Sequence, residues 1–234
     1  MTDALHPTGT PWRNFYGRLK GKTMRASQKE YLVADLVALS PGRVSKVDNP
    51  DRRPLDLNAV FAGREVWLEI GFGGGEHMVH MAATYPQIGL IGAEPFVNGV
   101  AMLLGKIRAA GVTNLAVYLG DVRDLFDVLP EASISRAFLN YPDPWFKTRH
   151  HRRRFVSPDY LFGLARVMAK DGLFHVATDI PDYVRQTLAE VPKAGFANDD
   201  WPIDRAWDDW ISTRYEQKAL REGRIPHYLQ FRKL

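Results

Sequence analysis

A chain of 234 residues without cysteine has room for one large α/β domain and excludes disulfides and thiolate metal sites. Its 45% hydrophobic and 12% aromatic content exclude a disordered chain, and no apolar run is long enough to cross a membrane. The net charge of +4 is unevenly spread: eleven of the 31 basic residues fall in two acid-free segments, Pro11–Lys29 and Phe146–Arg154, leaving 20 against 27 acids elsewhere.

Two patches of positive charge on an acidic body suit docking to a polyanion. Neither patch has the apolar face that membrane adsorption needs, so nucleic acid is the expected partner. MTDALHPTGTPW at the start holds no apolar signal core, and the lack of cysteine fits a reducing compartment. A cytoplasmic protein is expected.

Residues 1 to about 62 read as a basic arm and connector. Within them Ser27–Leu39 fits a helix through Tyr31, Leu32, Leu36 and Leu39, stopped by Pro41-Gly42, and Asn49–Pro54 is loop. The rhythm then changes. Glu65–Ile70, Ile88–Ala93, Leu115–Leu119, Ile134–Leu139 and Leu173–Ala177 are short apolar runs of the kind that form buried parallel strands. Between them, Phe96–Ala110 carries Val97, Val100, Ala101, Leu104 and Ile107 on one helical face, with Gly111 at the cap position. Ser157-Pro158 opens a further helix through Leu161, Leu164, Ala165 and Met168. Strands alternating with helices predict a doubly wound, mostly parallel sheet, whose ligands bind beyond the C-terminal ends of the strands.

The chemistry-bearing residues fall at those ends. Glu69-Ile-Gly-Phe-Gly-Gly-Gly follows the first strand, and its glycines let a ligand approach the backbone closely. A dinucleotide fingerprint would need a glycine where Glu76 stands, so a nicotinamide cofactor fits poorly and S-adenosylmethionine fits better. Glu94 ends the second strand, placed to accept ribose hydroxyls. Asp121 ends the third, placed to face an adenine amino group, or simply to cap the next helix. After the fourth strand comes NYPDPWFKTRHHRRR, residues 140–154. Pro142 and Pro144 each fix their own φ and keep the preceding residue out of the helical region, which holds Asp143 on a stiff loop beside a cationic run. Trp145 fits core packing or stacking on a base. Thr213-x-x-Glu216 reads as a capping box for a helix ended by Gly223, and Asp179, ahead of Pro181, as a helix cap. His77 and His80 lie three apart on a helix with no further ligand, so no metal is expected.

Taken together, Glu69–Gly75, Glu94, Asp121, YPDPW-F-K with RHHRRRF, Thr178-Asp179 and Thr213–Glu216 resemble the tRNA (guanine-N7)-methyltransferase family, a class I S-adenosylmethionine-dependent group. The resemblance runs from about Phe15 to Phe231, and PDPW-x-K-x-RHH-x-RR is its most specific part. Phe146 stands where the family usually has proline, and Thr148 where it is usually basic. The resemblance implies a Rossmann-like methyltransferase domain over residues 63–234 behind the basic arm. It implies that Glu69, Gly71, Gly73, Glu94, Asp121 and Asp143 line the cofactor site, and that Asp143 is also catalytic. Lys147, Asp179, Thr213, Arg214, Tyr215 and Glu216 would hold the target guanosine. Arg149, His150, His151, Arg152, Arg153 and Arg154 would grip tRNA, with 7-methylguanosine formed in the variable loop. No obligate protein partner is evident.

Overall fold

The computed structural model describes residues 13–234; the first twelve, and with them the expectation of a terminus without a signal core, lie outside the described residues. Seven strands form one sheet: β1 (Val66–Ile70), β2 (Gly89–Ala93), β3 (Leu115–Tyr118), β4 (Ile134–Asn140), β5 (Met168–Thr178), β6 (Phe196–Asn198) and β7 (His227–Lys233), in the order β3-β2-β1-β4-β5-β7-β6. Only β7 runs against its neighbours. The five predicted strands are all present, and the mostly parallel, doubly wound sheet is borne out. The last two strands were not anticipated, since β6 is only three residues long and β7 interleaves His227, Gln230, Arg232 and Lys233 with its apolar residues.

Among the described residues, eight α-helices accompany the sheet: α1 (Ala26–Ala38), α2 (Leu57–Phe61), α3 (Glu76–Thr84), α4 (Val97–Ala110), α5 (Val122–Phe126), α6 (Pro158–Val167), α7 (Pro181–Glu190) and α8 (Arg214–Arg221). Alternation along the strands sends side chains into two cores. Val66, Leu68 and Ile70 pack with Phe126, Leu161, Leu164 and Tyr183, whereas Trp67 packs with Phe138, Met78, Met81 and Leu104. Removing side chains such as Leu68, Phe138 and Phe174 from water contributes about 1.5–3 kcal/mol each, the main term favouring this three-layer arrangement. Val44, Leu55 and Phe61, from the stretch read as connector, are buried in the first core.

Local signals explain most boundaries. Gly111 takes the left-handed conformation at the end of α4 and donates to the Ile107 carbonyl at 2.9 Å. Pro158 occupies the first turn of α6, but that helix stops at Val167 instead of running through Met168. Met168 pairs with Ile134 as the first residue of β5, and the register then jumps so that Leu173 faces Arg136. Asp179 does not cap α7: Ile180 holds that position, and the Asp179 carboxylate pairs with Arg224.

Candidate active site

The strand order reverses between β1 and β4, and a cavity of about 540 Å³ opens there beyond the strand ends. Its size and place are those of a small-ligand site in a doubly wound fold. Gly71 and Gly73 form its floor with φ of 67° and 54°, a left-handed backbone that glycine adopts without strain. A Cβ at Gly71 would meet nothing within 4 Å, so this stretch of backbone opens directly onto the cleft. Glu94 is buried behind the loop, accepting from the Gly73 amide at 2.7 Å and the Phe96 amide at 2.8 Å. Burial raises its carboxyl above the usual Glu value, opposed by those two amides. Each oxygen keeps a further lone pair for a ligand hydroxyl. Asp121 caps α5 by accepting from the Arg123 amide at 2.9 Å, and its second oxygen takes the Arg123 guanidinium at 2.7 Å.

The opposite wall is the loop that bears Asp143. Tyr141 and Trp145, on either side of Pro142-Asp143-Pro144, have φ of 49° and 43°. For residues with a Cβ these conformations cost about 1–3 kcal/mol each, and they persist only where the surroundings hold them. Three contacts do so. The Tyr141 amide donates to the Ala177 carbonyl at 2.8 Å. Arg154 donates through Nε to the Pro144 carbonyl at 2.8 Å while its Nη1 reaches both Gln186 and Asp182, each at 2.9 Å. The Arg153 guanidinium lies over both Trp145, at 5.0 Å, and Tyr16, at 4.5 Å. Asp143 therefore sits on an immobilised loop at the cleft mouth. Desolvation by the surrounding protein raises its carboxyl above the usual Asp value, and the charge of Arg18 works against that shift.

A family model described as "Putative methyltransferase" matches residues 63–228. A Cereibacter sphaeroides protein named tRNA (guanine-N(7)-)-methyltransferase is 72% identical over 227 residues, covering 96% of this chain and 93% of its own length. Proteins of the same name from Ruegeria pomeroyi and Rhizobium meliloti are 69% and 44% identical, each match covering at least 94% of both chains. This chain belongs to the tRNA (guanine-N(7)-)-methyltransferase family. Among solved structures, the 16S rRNA methyltransferase KamB superposes with a TM-score of 0.56 at 16% identity, over 83% of this chain and 98% of its own. An antibiotic-related methyltransferase gives 0.54 at 18% identity, over 90% and 96%. At such identities the likeness concerns the fold, and it agrees with the mostly parallel, doubly wound sheet expected from the strand pattern.

The cleft gathers Gly71, Gly73, Glu94, Asp121, Asp143, Arg153, Arg154 and Tyr215 from the expected set. Others lie elsewhere. Alternation along β1 turns Glu69 away from the cleft and toward α3, where it is buried and pairs with His77 at 2.8 Å. Glu216 is buried as well, accepting from Trp210 and Tyr228, so it supplies only the backbone half of the capping box: its amide donates to Thr213 at 3.3 Å. Arg214 lies against the loop at Gly74, and Lys147 is exposed outside the cleft. The run expected to grip tRNA divides. Arg149 and Arg152 are exposed, but Arg154 is 1% exposed and faces inward, a correction to its expected role. The core placement favoured for Trp145 is also corrected, since its ring is half-buried in the cleft wall.

Two features escaped the sequence reading. Phe15–Arg18 cross the cleft and form part of its wall, held by Arg13 pairing with Asp124 and Asp127 and by Leu19 accepting from the Val97 amide. Asn140, at the end of β4, lines the same space with both side-chain polar atoms buried and unpartnered. The signal for the first was the aromatic-basic composition of FYGR; for the second, a polar residue ending an apolar strand.

Proposed function

We infer that this enzyme transfers a methyl group from S-adenosylmethionine to N7 of a guanine in tRNA, and we propose the variable loop as the site and the cytoplasm as the place of action. The observation that carries this reading is the convergence, in one cleft of a family member, of an open glycine loop, a clamped Glu94 and an immobilised Asp143 beneath a cationic rim. S-adenosylmethionine supplies the electrophilic methyl group when bound. Gly71, Gly73, Glu94 and Asp121 fit its polar outline, and Asn140 offers its unpartnered amide to a ligand in the cleft.

Guanine N7 attacks with an in-plane lone pair and carries no proton, so the site needs no strong base. Positive charge grows on the imidazole half of the base as the N–C bond forms. Asp143, fixed at the cleft mouth, stabilises that charge without reorganising. Alignment of the base with the methyl group provides much of the remaining acceleration. Tyr215 and Arg214, beside the glycine loop, are placed to hold the guanosine.

Incubation with methyl-labelled S-adenosylmethionine and unmodified tRNA transcripts, followed by mapping of the labelled base, tests the whole reading. Label as 7-methylguanine in the variable loop is expected; label on another atom or base overturns it. A second expectation concerns Glu94. Hydroxyl hydrogen bonds to its ionised form are worth about 1.5–3 kcal/mol, so Glu94→Gln should weaken S-adenosylmethionine binding roughly 10- to 100-fold in a calorimetric titration. Its carboxyl titrates above the ordinary 4.5, and protonation removes the acceptor. Wild-type affinity should therefore fall on acidification at a pH higher than that value, and Glu94→Gln should lose this dependence. Equal affinities for the two proteins would remove Glu94 from the cofactor site.

A further inference from the structure

Phe146 is 74% exposed, with its ring in solvent on the same loop as Asp143. A lone exposed phenylalanine is ordinary on a protein surface. The setting of this one is not. The loop beneath it is held by the Arg154 bond to Pro144 and by the stacking of Arg153 on Trp145, so the backbone that presents the ring does not yield. Lys147, Arg149 and Arg152, within the next six residues of the chain, are exposed, and among the described residues none of the three has an ion-pair partner. Desolvation and then the charges of Arg153, Arg149, Lys147 and Arg152 lower the pKa of His150, which shows how closely the cations crowd one another. From Pro144 to Pro158 there is no acidic residue to relieve them.

A solvent-facing ring on a braced loop, in a stretch of cations without ion-pair partners, is an arrangement by which proteins hold single-stranded nucleic acid: cations follow the phosphates and the ring receives a base face. We propose that Phe146 is a base-stacking residue, receiving an unstacked nucleobase of the bound RNA next to the target guanine. The inference rests on the tRNA reading and adds to it a contact on the nucleotide beside the one that reacts.

The test compares equilibrium binding of an unmodified tRNA transcript to the wild type, Phe146→Ala and Phe146→Tyr at several salt concentrations, with S-adenosylmethionine binding measured alongside. Loss of one base stack should weaken tRNA binding by about 5- to 100-fold in Phe146→Ala. Phe146→Tyr, which keeps a flat ring, should restore it. The slope of log affinity against log salt should be the same in all three, because stacking releases no counterions. S-adenosylmethionine affinity should not change. Wild-type tRNA affinity in Phe146→Ala overturns the inference, as does a loss accompanied by a flatter salt slope, which would place the effect on the neighbouring cations. A wild-type enzyme that binds no tRNA overturns the functional reading, and this inference with it.

Discussion

Asp143→Ala is expected to lower the rate of methyl transfer by at least about 10²–10³-fold, the usual cost of removing one preorganised electrostatic partner from a reacting centre. The protein should remain folded, because Asp143 lies at the cleft mouth and the loop is held by Tyr141, Trp145 and Arg154 and not by the carboxylate. Asp143→Asn separates two contributions. It keeps the shape and a hydrogen-bonding oxygen but removes the charge, so a rate close to that of Asp143→Ala would assign the effect to charge. The wild-type pH profile gives an independent check. Desolvation raises the Asp143 carboxyl, so activity should fall on acidification at a higher pH than for a solvated aspartate, and the variants should lack that limb. Measured together, kcat, S-adenosylmethionine affinity and Tm distinguish a catalytic loss from a structural one. Turnover by Asp143→Ala near the wild-type level would remove Asp143 from the mechanism.

The contrast between Asp143 and Glu69 shows what a sequence of this kind conveys. Both are acids near the C-terminal ends of adjacent strands, Glu69 within β1 and Asp143 three residues past β4. The prolines around Asp143 act through local sterics, so their effect on the loop is readable from three consecutive residues. Which face Glu69 adopts depends on strand register and on His77 eight residues away, and the period-two alternation of β1 decides it. The parallel strands were legible because burial on both faces makes them continuously apolar. β7 was not, because one side of it faces polar partners: Gln230 meets His175 at 2.9 Å and Asp199 at 2.7 Å. The Phe15–Arg18 strap was legible only as charge. Its position over the cleft depends on tertiary contacts from Arg13, Tyr16 and Leu19 that no local pattern encodes.

The basic run after Asp143 should separate into two functions under mutation. Sequence alone treats Lys147, Arg149, Arg152 and Arg154 as equivalent charges, yet the first three face water and the last is sealed in the fold. Replacing Lys147, Arg149 and Arg152 by alanine should leave Tm within a few degrees of the wild type, since exposed cations without partners contribute little to stability. The same variant should bind tRNA weakly, with a salt dependence flatter by about 2–3 log units per log[salt] if each cation meets one phosphate. Arg154→Ala should behave in the opposite way. It leaves the Pro144 carbonyl, Gln186 and Asp182 without their shared donor and opens a cavity under Tyr183, at a cost of about 2–4 kcal/mol. Asp182 is partly exposed and can be solvated again, which keeps the cost below that of an enclosed ion pair. For a chain of this size that lowers Tm by roughly 5–15 °C. Arg154→Lys should recover little, because a single ammonium cannot reach three acceptors in the plane that the guanidinium spans. Thermal unfolding and salt-dependent binding measured on both variants check the division. A flattened salt slope in Arg154→Ala at unchanged Tm would return Arg154 to the RNA surface, whereas an unchanged slope in the triple variant would leave the exposed cations a solvated face. The expected division is between an inward arginine that holds the strained loop bearing Asp143 and outward cations that meet RNA.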